Sequence, residues 1–191
     1  MRFWPSSFFP IYFAIFAALA LFATTPVSRA ADSDTNPLPD FASLYLRPLP
    51  LALWLAEDKI TVVSSPHDIG EIKNIFDGNF STVLRSAQTN PQQTTVQFDG
   101  TVSVAAVRVV TSDPQDRWKI EGTVWSKDGK TSTKNQIVPW TNAEFQTGTV
   151  NEIVFPRNLS VSELTLTLER INGDDYVHLH EWELLTEIKV E

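Results

Sequence analysis

The sequence predicts an all-β protein, an antiparallel β-sandwich of jelly-roll type with about eight strands. Three observations carry that expectation. Short β-branched runs recur from Lys59 onward, each closed by turn residues: "ITVVSS", "TTVQFDG", "VSVAAVRVVTSD", "WKIEGTVWSKDG", "NQIVPW", "VNEIVFP" and "ELTLTLERINGDD". Several alternate with period 2. Leu164, Leu166 and Leu168 share one face, and Thr165, Thr167 and Glu169 share the other, as in a half-buried strand. Helical periodicity is nearly missing: "IGEIKNIF" (Ile69 to Phe76) offers one turn, and "LALWLAE" (Leu51 to Glu57) reads equally as a helical turn or a short strand. The turns have the right chemistry, since "KDGK" and "NGDD" place a glycine where positive φ is needed.

Taken in order, residues 1–30 read as an export signal. Arg2 precedes the apolar run "FFPIYFAIFAALALFA" (Phe8 to Ala23), and "VSRA" puts Ser28 and Ala30 at the small positions before a cleavage site. An uncleaved anchor is the alternative, because the run approaches the length of a membrane span. Residues 31–57 carry Pro37, Pro39, Pro48 and Pro50 and read as a Pro-rich arm or linker. Residues 58–191 then form one sandwich domain. The chain has a formal net charge of −8, and Arg2 and Arg29 leave with the signal, making the mature chain two charges more negative. An acidic surface of that kind disfavours nucleic acid and anionic membranes as partners. A periplasmic or secreted setting is expected. With no cysteine, an exported domain must hold itself together by packing or by a metal ion.

The chemistry-bearing residues are few. There is no Gly-x-Ser-x-Gly elbow and no phosphate-cradling glycine loop, and the histidines are His67, His178 and His180. The final strand "YVHLHEWELL" (Tyr176 to Leu185) places His178 and His180 two residues apart, so both could face one transition metal. No third histidine follows, and plain strand positions are the simpler reading. Strict alternation groups His178, His180, Trp182 and Leu184 on one face, and Val177, Leu179, Glu181, Glu183 and Leu185 on the other. Glu181 then falls in line with two apolar residues, where an ionised carboxylate needs a partner. A second acidic feature is "NIFDGNFST" (Asn74 to Thr82), a tight turn whose carbonyls, Asp77 carboxylate and hydroxyls could converge. Oxygen-only clusters suit Ca²⁺, although this one lacks EF-hand spacing and also fits an ordinary Asx turn.

The order of "NIFDGNFSTVLRS", "FDGTVSVAAVRVV", "WKIEGTVWSKDGK" and "YVHLHEWEL" resembles discoidin-like domains, also called coagulation factor 5/8 type C domains. Bacterial family 32 carbohydrate-binding modules belong to that group. The likeness spans about residues 58 to 190 and implies a galactose-binding-like jelly roll with a structural Ca²⁺. Carried over by motif, it implies ligand oxygens from the Asp77, Thr82 and Glu181 side chains and from the Asn74, Asn79 and His180 carbonyls. It also implies ligand binding by loops at one end of the sandwich. An aromatic before the final strand often stacks on the sugar there, and Tyr176 holds that position. Arg117 and Trp118 are the candidates in "TSDPQDRW", where sugar-binding members carry an Arg and an Asn; Arg85 and His67 belong to neighbouring loops. The usual Trp after the turn is replaced by Leu84.

The expectation is therefore a non-catalytic, exported module that recognises a glycan or another surface ligand. The alternatives are an assembly protein that docks a partner protein through the arm and "LALWL", and a metal-dependent enzyme built on His178 and His180.

Overall fold

A computed structural model describes residues 45–143, 150–171 and 176–188. The export signal and the first part of the arm lie outside them. The elements run β1 (Tyr45–Pro48), α1 (Leu51–Ala56), β2 (Ile60–Ser64), β3 (His67–Ile69), a 3₁₀ turn (Ile72–Phe76), β4 (Leu84–Ser86), β5 (Gln92–Thr111), β6 (Asp116–Trp125), β7 (Ser132–Asn142), β8 (Val150–Arg170) and β9 (His178–Ile188). The strands pair antiparallel throughout.

Two long strands make the sandwich. β5 gives its first half to β2, pairing Ser64 with Thr94, and its second half to β9, pairing Val109 with Trp182. β8 follows β5 along its other edge for most of its length and on its own far edge pairs β6 through Ser160–Arg170. Each long strand thus passes from one layer to the other. The crossing is marked by register slips between Gln97 and Val102 and between Val104 and Ala106, with Gly100 at φ 108°. One layer is β2-β5-β8-β6-β7. The other is β8-β5-β9, beyond which β4 and β1 share the far edge of β9.

Between the layers sits the core. Leu164, Leu166 and Leu168 point inward as their alternation requires, meeting Val96, Trp118 and Ile120 from their own layer and Val107, Val109, Leu179, Trp182 and Leu184 from the other. Each such side chain contributes roughly 1.5–3 kcal/mol on burial, which is how a cysteine-free domain can hold. The later part of the arm is spent inside this fold. β1 pairs β9 from Tyr45↔Ile188 to Pro48↔Leu185, and α1 buries Leu51 and sets Trp54 edge-on to Phe98 at 6.4 Å. Residues 45–56 are therefore structural rather than a free docking arm.

One end of the sandwich gathers the β4–β5, β5–β6 and β8–β9 connections. Asn90 bonds the backbone of Arg170 in both directions (2.8 and 3.1 Å), and the Ile171 N–H donates to the Gln115 carbonyl. Beneath them the Arg170 Nε donates to Asp116 Oδ1 at 3.0 Å, with Asp113 at 3.6 Å. Asp116 is wholly buried and Arg170 nearly so. Burial pushes the Asp116 carboxyl up, and Arg170 opposes that rise. Truncating one partner strands the other charge. R170A should lose about 3–5 kcal/mol in urea unfolding, while D116A/R170A should cost less than the two single changes together.

Candidate functional site

The 3₁₀ turn ends at Asp77, and Gly78 follows at φ 72°, a conformation that favours glycine. Asp77 Oδ1 accepts the Asn79 N–H at 2.8 Å, and Asn79 Oδ1 accepts the Ser81 N–H at 3.1 Å, so consecutive Asx turns curl the segment. The curl brings oxygens together around Thr82. Its Oγ1 lies 3.1 Å from the Asn74 carbonyl, 3.1 and 3.2 Å from the two Asp77 carboxylate oxygens and 2.7 Å from the Asn79 carbonyl. A hydroxyl has one proton to give. The cluster holds more acceptors than donors.

Glu181 approaches this cluster from β9. It is 1% exposed; Oε2 accepts the Gly78 N–H at 3.1 Å, and Oε1 has no hydrogen-bond partner among the described residues. Burial pushes its carboxyl up to about 7; the Gly78 N–H opposes this, and the like charges of Glu183 and Asp77 add to it. Lys73, whose charge feels Asp77, is already paired with Glu71 at 2.8 Å.

The face assignment within β9 differs from strict alternation. Val110 pairs with Glu181, whereas Thr111 pairs with Leu179, so the register skips His180 and makes it a one-residue bulge. The bulge resets the phase. Val177, Leu179, Trp182 and Leu184 all reach the core, and Trp182 does not share a face with the histidines. Of the six residues expected around a metal, Asn74, Asp77, Asn79 and Thr82 are in direct contact, Glu181 joins them through Gly78, and His180 is the bulged residue beside it. Among the described residues no three His, Asp or Glu side chains form a metal-holding group, which leaves the histidine-based metal site without a third ligand of those types.

A second cluster lies at the loop end. β3 and β4 pair His67 with Ser86, and β4 pairs Arg85 with His178. Arg85 donates from Nε and Nη2 to the Asp68 carboxylate at 2.9 and 2.8 Å, and its guanidinium sits 4.6 Å from the centre of the Tyr176 ring. The hydrogen bond from Arg85 comes first among the causes that hold the Asp68 carboxyl below its ordinary range. The Gln88 amide, on a residue at φ 51°, donates to the Tyr176 hydroxyl at 3.1 Å. His67 is exposed beside them. Tyr176, Arg85 and His67 were expected here; Asp68 and Gln88 were not. Their contacts join segments 17 and 88 positions apart, and no local pattern marks them.

Arg117 and Trp118 stand elsewhere. Trp118 is a correction: it is 0% exposed and part of the core, because the alternation of β6 turns it inward with Ile120. No ligand reaches a ring buried between the layers. Arg117 points the other way, pairing with Glu169 at 2.8 Å and lying over the Trp140 ring at 4.5 Å.

The sequence matches no family model and no curated protein. Solved structures are similar in fold. The family 32 module of NanJ from Clostridium perfringens, in complex with galactose, superposes with TM-score 0.53 at 14% identity, covering 74% of this chain and 100% of that one. The fold is that of the family 32 carbohydrate-binding modules. Two further Clostridium perfringens modules agree. CpGH89CBM32-4, in complex with GlcNAc-α-1,4-galactose, gives TM-score 0.52 at 16% identity over 73% of this chain and 95% of its own. CpGH89CBM32-5, in complex with GalNAc-β-1,3-galactose, gives 0.51 at 14% over 72% and 99%. The Asp77 turn faces the last strand through the Gly78–Glu181 hydrogen bond, and Tyr176 leads into that strand.

A raised carboxyl gives a signed pH dependence. Between an unfolded value near 4.5 and a folded value of about 7, the folded chain holds the Glu181 proton more tightly. Stability conferred by the protonated form is complete below about 4.5 and is lost as pH rises through about 7, by up to about 3 kcal/mol. Melting temperatures in chelator should therefore fall from pH 5 to pH 7.5, and E181Q should flatten that slope.

Proposed function

We propose that the chain is an exported, non-catalytic glycan-binding module whose ligand site is the loop end around Tyr176, Arg85, Asp68, Gln88 and His67. One observation carries the reading: an aromatic ring, a guanidinium, a carboxylate, an amide and an imidazole meet on one end of a family 32 fold. A tyrosine ring offers a flat apolar surface for the C–H face of a pyranose, and the polar groups around it can exchange hydrogen bonds with the hydroxyls. Asp68 takes Nε and Nη2 of Arg85, which leaves Nη1 without a protein partner among the described residues and available to a sugar oxygen. The similar modules are each in complex with a galactose-containing sugar, and galactosides are the first ligands to try.

The same reading includes a structural Ca²⁺ beneath the Asp77 turn. The fit rests on the surplus of acceptor oxygens around Thr82 and on the unpartnered Glu181 Oε1, both of which a hard dication would satisfy. Asp77, Thr82 and Glu181 would supply side-chain oxygens, and Asn74, Asn79 and His180 carbonyls. Bound Ca²⁺ supplies positive charge to two neighbouring carboxylates. The protein's own part is to hold the turn against β9, through the Gly78 N–H and the Asx turns, so that little is left to order on binding.

Two measurements test this. Isothermal titration with galactose and galactosyl disaccharides should detect binding in the wild type, and Y176A or R85A should weaken it at least about tenfold, or roughly 1.4 kcal/mol, with unchanged melting. No binding to any member of a broad glycan array would remove the glycan reading. Separately, CaCl₂ should raise the melting temperature of the wild type and not that of D77A or E181Q; indifference of the wild type to both CaCl₂ and chelator would remove the ion.

A further inference from the structure

The opposite end of the sandwich carries a cavity of about 810 Å³, within the size range of small-molecule sites. Its existence follows from the register. Between Val104↔Leu159 and Ala106↔Val154, β8 advances five residues while β5 advances two, so Phe155–Asn158 bulge away from the sheet. The β6–β7 turn closes the other side. That turn is internally tied: the Ser126 N–H donates to the Thr131 carbonyl at 2.8 Å, and Asp128 Oδ1 accepts the Ser126 hydroxyl at 2.6 Å and the Lys130 N–H at 3.2 Å. Trp125 lines the cavity with its indole fixed, since Nε1 donates to Ser162 Oγ at 2.9 Å. Asn158 is fixed as well, donating to Glu187 Oε2 at 2.7 Å. The walls are preformed.

The cavity also carries charge. Most bases of the described residues are held by carboxylates, including Arg85, Arg108, Arg117, Lys119 and Arg170. Lys127 and Arg157 have no ion-pair partner among the described residues, and both border the cavity. The Asp128 carboxylate beside them is engaged by its own turn. The lining carries two cations against one carboxylate, and a net positive charge in an acidic chain raises the local concentration of anions. Around them stand an indole and the polar side chains of Thr101, Ser103, Ser160 and Asn158. Hydroxyls and an amide suit a polyhydroxylated ring, and the indole suits its apolar face.

We propose that this cavity is a second saccharide site, separate from the loop end, and that it takes a sugar bearing a carboxylate. Lys127 and Arg157 meet the carboxylate, Trp125 meets the ring face, and the Ser, Thr and Asn side chains meet the hydroxyls. The proposal stands without the loop-end reading, because it shares no residue with it.

The test is a titration of the full mature chain with tetragalacturonate, followed by NMR of indole N–H signals, with W125F used to assign Trp125. The Trp125 signal should shift and saturate, and raising salt to about 0.5 M should weaken binding several-fold, because exposed charges are screened. The K127A/R157A double variant should weaken binding at least about tenfold with unchanged melting, and Y176A should leave it unaltered. No shift at about 10 mM oligomer, a millimolar range that marks the weakest useful affinity, overturns the proposal. An equal response to neutral cellotetraose, or a loss in Y176A but not in K127A/R157A, also overturns it.

Discussion

A carboxylate buried in the last strand sets the terms for the rest of the site. Glu181 is held on one oxygen by the Gly78 N–H and lies beside Glu183 in a place where ionisation is opposed by burial. Leaving such a group uncompensated costs several kcal/mol, so the Asp77 turn cannot be arbitrary in shape: it must aim an N–H at β9. That turn leads directly into β4, which pairs Leu84 with Leu179 and Arg85 with His178. The position of Arg85, and through it of Asp68 and the Tyr176 contact, is therefore tied to that hydrogen bond through β9. The Asp77 turn and the loop end around Tyr176 are one construction, joined through β9.

The neighbouring charges support that construction differently. Glu183 shares Arg108 with Glu152 across three adjacent strands, a half-exposed arrangement screened by solvent. Arg170 and Asp116 are buried and clamp the loop connections from below. Arg117 is neutralised by Glu169 and stacked on Trp140 at the sheet surface. At the loop end Arg85 acts together with the Asp68 carboxylate, an arrangement compatible with neutral, hydroxyl-rich partners. The corner end keeps its two bases free. The two ends of one sandwich differ in charge chemistry although both offer an aromatic ring.

Alternation made much of this legible. Leu164, Leu166 and Leu168 face the core as their spacing demands, and the oxygen-rich turn was visible in "NIFDGNFST" because Asp, Gly, Asn and Thr follow one another closely. Where the reading failed, a period was broken or ignored. A bulge is a single inserted residue without a sequence mark of its own, so the phase shift at His180 put Trp182 with the wrong neighbours. The resemblance expects Trp118 at a loop, whereas the inward set Trp118, Ile120 and the outward set Arg117, Lys119, Glu121 alternate as a strand. β1 has no sequence mark, because four residues ending in proline show no period and its place is set by pairing with β9 from Ile188 to Leu185. Asp68 and Gln88 depend on pairing between strands three residues long, which only tertiary structure fixes.

The cavity at the corner follows from the same constraint that makes the fold a sandwich. For β5 and β8 to serve both layers, each must turn between them, and a turning ladder cannot keep even register. Residues expelled from the ladder lose their cross-strand backbone partners. Arg157 and Asn158 are such residues, and the Gly129 turn of the adjacent hairpin stands over them at φ 69°. Any jelly roll built on two through-running strands has a corner of this kind. What the corner can hold depends on what the sequence places there, and here it places an indole, two cations against one carboxylate, and several hydroxyls. A fold that only needed to close its corner could have filled it with leucine.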